Sequence, residues 1–257
     1  MCSVKRTWAI GGTSESREIV ELLISRGLPC LVTVTTQSAR SLYLSHPLLE
    51  VRVGCLTPDK LPEFLQKEKI GVVVDASHPY ASSISQNAIA ASTALNIPYL
   101  RYERSLLAAS GDIVVRGFEE LIEGNYLSDR RVFLTVGCKA LPYFQSWQER
   151  AVLFARVLPA VNSLKAAIAA GFPPHRLVAL RPPISADLEE ALWRQWQIDL
   201  VVTKASGRAG GEEIKRSVAA KLAIPLLVVA RPPVSYPRQT ANLEEVLTFC
   251  YQHCIKE

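Results

Sequence analysis

Short apolar runs alternate along the whole chain with stretches of helical length, amphipathic or rich in alanine, and this alternation constrains the fold more than any other feature. It is the pattern of βαβ units around a parallel sheet. In the first half, runs at 6–10, 30–35, 50–53, 70–75 and 98–102 read as strands, with helices at 15–26, 58–69 and 81–95 between them. The stretch IGVVVDAS is apolar on both faces, as a central strand covered by helices on both sides should be. The stretch RSLLAASGD, 104–112, breaks the periodicity and is taken as the domain boundary, dividing the chain into 1–104 and 105–257. Beyond it, strands are expected at 113–115, 132–135, 152–157, 177–180, 200–203 and 226–229. Helices are expected at 119–127, 140–147, 163–170, 188–196 and 212–222, and a last one at 243–254 could pack on either domain.

At 257 residues the chain can bury two cores. No apolar run approaches the ~20 residues a membrane helix needs, and the opening MCSVKRTWAIGG has no signal-peptide pattern, so the expectation is a cytoplasmic protein without a membrane partner. Six cysteines without a CxxC pair suit free thiols in a reducing compartment. CYQHC puts Cys250, His253 and Cys254 on one helix. A metal there would need a fourth ligand from elsewhere, packing cysteines are the plainer reading, and no metal is expected. The net charge of +5 comes without basic runs interleaved with aromatics, which argues for a small acidic ligand rather than nucleic acid.

The most informative corner is AIGGTSESRE at 9–18, where an apolar strand ends in Gly11 and Gly12 and a helix opens around Ser14. Unpaired N–H groups and the positive end of a helix dipole make such a corner an anion site, most often for phosphate. Thr13 and Ser14 can cap the helix or donate to phosphate oxygens, and Glu15 opens its first turn. The plainer reading is an ordinary capped turn, since Ser16 stands where GxGxxG would place its third glycine. An NAD site usually carries an acid about 20 residues on. Here no acid lies between Glu21 and Glu50, and TVTTQSAR offers Thr36, Ser38 and Arg40, a set suited to a 2′-phosphate and so to NADPH, with NADH as the alternative.

DASHPYA follows the most buried strand and puts Asp75, Ser77, His78 and Tyr80 at the carboxyl edge of the sheet, beside the glycine corner in a Rossmann-like strand order. YLRYERS ends the next strand with Arg101 and Arg104, which suit carboxylate recognition or a surface ion pair. LTVGCKAL places Lys139 at a helix start, where its charge opposes the dipole unless an anion is present. VVTKASGRAGGEE sets Lys204, Ser206, Gly207 and Arg208 before a Gly210-Gly211 helix entry, and this reads as a second anion-binding loop.

Together these motifs resemble the precorrin-6A reductase family of corrin-ring biosynthesis, which includes the cobalt-precorrin-6A reductases. The resemblance covers nearly the whole chain and rests on GGTSE at 11–15, VDASHPYA at 74–81, IPYLRYER at 97–104, TVGCKAL at 135–141, VTKASG at 202–207 and IPLLVVARP at 224–232. One departure is RPPIS at 181–185, where relatives tend to read Gly-Pro-Phe-Ser. The resemblance implies an α/β fold of two Rossmann-like domains with parallel sheets and a ligand cleft between them. It implies hydride transfer from a nicotinamide cofactor to the macrocycle in cobalamin biosynthesis. Cofactor contacts fall on Gly11, Gly12, Thr13, Ser14, Glu15, Thr36, Ser38, Arg40 and Ser77. Contacts to an anionic tetrapyrrole fall on Arg101, Arg104, Lys139, Lys204, Ser206, Gly207 and Arg208, and catalytic roles on His78, Tyr80 and Lys204. A monomer or weak homo-oligomer is expected. The alternatives are another NADP-dependent reductase or epimerase of a small anionic substrate, against which the missing Tyr-x-x-x-Lys counts, and a non-catalytic dinucleotide sensor.

Overall fold

The computed structural model describes residues 5–104 and 111–255, so most of the expected boundary stretch lies outside the described residues, as does Cys2. In the first half the chain runs β1 (Arg6–Ile10), α1 (Ser14–Ser25), β2 (Cys30–Val34), α2 (Gln37–Arg40), β3 (Leu49–Val53), α3 (Leu61–Lys67), β4 (Ile70–Asp75), α4 (Ser82–Ala94) and β5 (Tyr99–Tyr102). It continues with β6 (Ile113–Val115), α5 (Phe118–Glu123), β7 (Arg131–Leu134), a 3-10 helix at Cys138–Trp147, β8 (Val152–Val157), α6 (Val161–Ala169) and β9 (Leu177–Ala179). Then come α7 (Ala186–Gln195), β10 (Leu200–Lys204), α8 (Glu212–Leu222), β11 (Leu226–Val229), β12 (Gln239–Thr240) and α9 (Leu243–Cys254).

The strands form two parallel six-stranded sheets, ordered β12-β5-β4-β1-β2-β3 and β6-β11-β10-β7-β8-β9. Each reverses direction of growth between its two central strands, β1 and β4 in one and β7 and β10 in the other, which puts the ligand-binding crevice of a doubly wound sheet at those strand ends. Alternation along the strands explains the layering. In β1 and β4, Ala9, Val72 and Val74 face the helices α1 and α9, whereas Trp8, Ile10 and Val73 face α3 and α4. In the second sheet Leu200 and Val202 belong with Leu121, Phe144 and Ala167, while Val201 packs with Trp193 and Val218. Both sheets are therefore covered on both faces, which is why their strands read as unbroken apolar runs.

The chain divides into one unit of Met1–Ser105 with Pro233–Glu257 and another of Leu106–Pro232. This differs from a single division after 104: β12 and α9 return to the first unit, where α9 buries Val246, Phe249, Cys250 and Cys254 against α1 and β1. Two other elements differ from expectation. The stretch expected to be helical at 140–147 is part of a 3-10 helix at Cys138–Trp147, with Pro142 inside it. The short α2, unseen in the periodicity, is started by Thr36, whose hydroxyl accepts the Ala39 N–H at 3.1 Å. Among the described residues no helix is long and apolar enough to cross a membrane.

Candidate functional site

At the end of β1 the chain makes a capping box: the Ser16 N–H donates to the Thr13 hydroxyl at 3.1 Å and the Thr13 N–H to the Ser16 hydroxyl at 3.0 Å. The Thr13 hydroxyl donates in turn to the Ala76 carbonyl at 2.8 Å, tying the corner to the end of β4. The Thr13 hydroxyl is thus spent within the fold. Gly12 has φ +102, the left-handed side that glycine tolerates, and a Cβ placed there would find only Ala39 of α2, 3.8 Å away. Its N–H is turned inward to the Tyr43 hydroxyl at 2.9 Å. Gly11 is required for a different reason: a Cβ there would clash with Val32 and with the hydroxyl of Tyr43. Among the described residues the N–H groups of Ser14 and Glu15, the first two of α1, are left without an acceptor, and they are what this helix start offers an anion.

The end of β2 borders this corner through Ala39. Thr36, Ser38 and Arg40 are all exposed there, with the hydroxyls of Thr36 and Ser38 3.2 Å apart. Among the described residues Arg40 has no ion-pair partner. A cation with no acid beside it, next to helix-start N–H groups, is a suitable seat for a ribose phosphate.

The polar cluster after β4 is of another kind. Asp75 is completely buried; one oxygen accepts the Ser77 N–H and the Arg101 guanidinium, both at 2.9 Å, and the other accepts the hydroxyls of Ser85 and Tyr99, both at 2.6 Å. Arg101, 1% exposed, also donates to Glu103 at 2.8 Å and to the Ser77 hydroxyl at 3.1 Å, and lies over the Tyr236 ring. Burial and the Asp75 charge push the Tyr99 phenol far up. Arg101 and Ser77 therefore hold the sheet edge together. Arg104 is likewise committed, to Glu15 at 2.8 Å. His78 is exposed at the end of this edge; its Nδ1 accepts the Tyr80 N–H at 3.3 Å, so the neutral ring carries its proton on Nε2, and the two rings lie 5.9 Å apart.

In the second unit Lys139 and Lys204 stand after β7 and β10, the pair that flanks the reversal of strand order. The Lys204 ammonium lies 5.5 Å over the Phe118 ring, itself stacked on Tyr143. Burial lowers the Lys204 pKa, and the nearby Lys139 charge works in the same direction. Phe118 escaped the sequence reading, although a phenylalanine directly after the Gly117 that precedes α5 marks a strand-end position. The 204–212 loop is braced from within. Glu212, 2% exposed, folds back so that its carboxylate accepts the Gly207 N–H at 2.7 Å, and it also pairs with Arg216 at 2.6 Å. The anion this loop holds is its own. Ser206 is packed beneath Gly210, where a Cβ would collide with its hydroxyl, and the exposed Arg208 pairs with Glu213 at 3.1 Å.

A family profile described as precorrin-6x reductase CbiJ/CobK matches residues 6–251. The chain is 47% identical over 255 residues to the cobalt-precorrin-6A reductase of Synechocystis sp., covering 98% of each. It is 30% identical to the cobalt-precorrin-6A reductase of Priestia megaterium, over 93% of this chain and 95% of that one. It is also 30% identical to the precorrin-6A reductase of Rhodococcus erythropolis, over 94% of each. The solved structure of a CobK precorrin-6A reductase superposes with a TM-score of 0.82 at 25% identity, over 98% of both chains. A profile match over residues 6–251, with 47% identity to a relative along nearly the whole length, leaves a single conclusion: the chain belongs to the precorrin-6x reductase family.

Proposed function

We propose that this protein is a nicotinamide-dependent reductase of cobalamin biosynthesis that reduces a double bond of the precorrin-6A or cobalt-precorrin-6A macrocycle, with NADPH as the preferred cofactor. The observation that carries the cofactor half is Arg40, a cation of α2 with no ion-pair partner among the described residues, next to the helix start that leaves the Ser14 and Glu15 N–H groups for a pyrophosphate. When bound, the nicotinamide supplies the hydride. The chain supplies the rest. Ser14 and Glu15 seat phosphate oxygens, and Arg40 with the hydroxyls of Thr36 and Ser38 seats the 2′-phosphate. Lys139 and Lys204 clamp acetate or propionate carboxylates of the macrocycle, supported by the lowered dielectric that burial gives Lys204. The proton that must accompany the hydride is assigned to His78, exposed at the carboxyl edge of β4 with Nε2–H as its donor, and Tyr80 holds that ring through its backbone N–H.

The test separates the two ligands. Replacing Lys204 by alanine removes a charge-assisted hydrogen bond of about 1.5 to 3 kcal/mol, so the tetrapyrrole KM should rise roughly ten- to a hundredfold while the NADPH Kd holds. Weakened NADPH with intact tetrapyrrole binding would overturn the assignment of the second edge.

A further inference from the structure

We infer that Tyr43 is a positioning residue for the nicotinamide dinucleotide, an inference that rests on the assignment of the corner between β1 and α1 to that cofactor. Tyr43 reaches the corner from the segment after α2, and its side chain is buried at 5% exposure. Its hydroxyl touches both halves of the turn, accepting the Gly12 N–H at 2.9 Å and lying 2.6 Å from the Ser16 hydroxyl. Counting protons sets the direction of the second bond. Ser16 has one hydroxyl proton and spends it on the Thr13 carbonyl at 2.7 Å, so the Tyr43 phenol donates to Ser16. Burial pushes that phenol above its ordinary value, and it keeps its proton through neutral pH.

The result is a relay from the Gly12 N–H through Tyr43 and Ser16 to the Thr13 carbonyl, closed by the Thr13 N–H on Ser16. Hydrogen bonds in such a chain reinforce one another. A phenylalanine would fill the same core space, so what the hydroxyl adds is the turn itself: it holds Gly12 at positive φ and leaves the Ser14 and Glu15 N–H groups, rather than that of Gly12, for the ligand. Gly11 fits this role, because a Cβ at that position would displace the Tyr43 hydroxyl. The Tyr43 N–H also donates to the Arg40 carbonyl at 3.1 Å, which ties the 2′-phosphate segment to the corner through one residue.

Equilibrium titration of the whole protein with NADPH and NADH tests this. Tyr43→Phe should raise the Kd of both cofactors about tenfold, the scale of one lost hydrogen bond, with kcat at saturating cofactor and the tetrapyrrole KM unchanged. A role in folding alone would lower the melting temperature and leave this split absent. Ser16→Ala interrupts the same relay from its other end and should give a similar loss, and the double variant should be little worse than the poorer single one. Wild-type affinities in folded Tyr43→Phe and Ser16→Ala, alongside an Arg40→Ala protein that has lost NADPH, would overturn the role of Tyr43 and leave the cofactor site standing. If Arg40→Ala also binds NADPH normally, the site assignment falls and this inference with it.

Discussion

Arg40 and Arg101 show how one residue type is put to opposite uses. Arg40 is exposed on α2 with no ion-pair partner among the described residues, so its charge is available, and Arg40→Ala should weaken NADPH roughly tenfold or more while leaving NADH nearly unchanged in a fluorescence titration. Equal loss for both cofactors would remove it from the 2′-phosphate. Arg101 is enclosed by Asp75, Glu103 and Ser77, and its removal leaves a buried carboxylate without its countercharge. Breaking a buried pair in this way typically costs about 3 to 5 kcal/mol, so Arg101→Met should lose that much stability in urea denaturation. A fully stable variant with a raised tetrapyrrole KM would restore the ligand role that the sequence suggested. The sequence placed Asp75 and Arg101 correctly at the ends of adjacent strands, but whether such ends point into solvent or into each other depends on register, here Asp75 beside Arg101, which no local pattern encodes. Glu212 was hidden differently: an acid in a first helical turn reads as dipole complement, and its second use, capping Gly207, needs the left-handed Gly211 that turns it back. Tyr43 stood in a polar loop with no period to reveal it.

At the scale of elements, the strands were legible because both sheets are buried on two faces and each strand is an apolar run. Five of them, β1, β4, β6, β8 and β11, span the expected residues. The helix α9 was legible as a helix, yet its partner was not, because the choice depends on the β12 pairing with β5, set by two backbone residues. Its placement has a measurable signature. Cys250 and Cys254 lie buried near Thr7 and Cys30, with the Thr7 hydroxyl 3.4 Å from the Cys254 sulfur, and burial pushes the Cys250 thiol up to about 12. The unfolded chain gives up this proton near its ordinary value of about 8.5, while the folded chain holds it until about 12. The folded state thus binds more protons in that window, and stability falls as pH rises through it, by about 1.4 kcal/mol per pH unit for one thiol. Denaturation under reducing conditions at several pH values from 8 upward should show a shallower decline for Cys250→Ala than for wild type. Parallel declines would mean that Cys250 titrates freely.

Over the whole molecule, the first sheet draws its sixth strand, β12, from an unexpected part of the chain. The strand after β11 returns to the first sheet beside β5, whereas the strand after β5 stays with the second sheet beside β11, as a boundary before it implies. Two doubly wound sheets, each with its own reversal point, give the chain two unlike ligand edges: helix-start N–H groups with Arg40 on one, and two lysines with an aromatic face on the other. Cofactor and tetrapyrrole chemistry divide between them in the proposed function, whereas a dinucleotide sensor would use the first alone. The direct test is anaerobic incubation of the purified protein with precorrin-6A or cobalt-precorrin-6A and NADPH, followed by absorbance and mass spectrometry. A macrocycle that gains two hydrogens as NADPH is consumed in equal amount is the predicted result; NADPH bound with neither macrocycle changed in mass would contradict it.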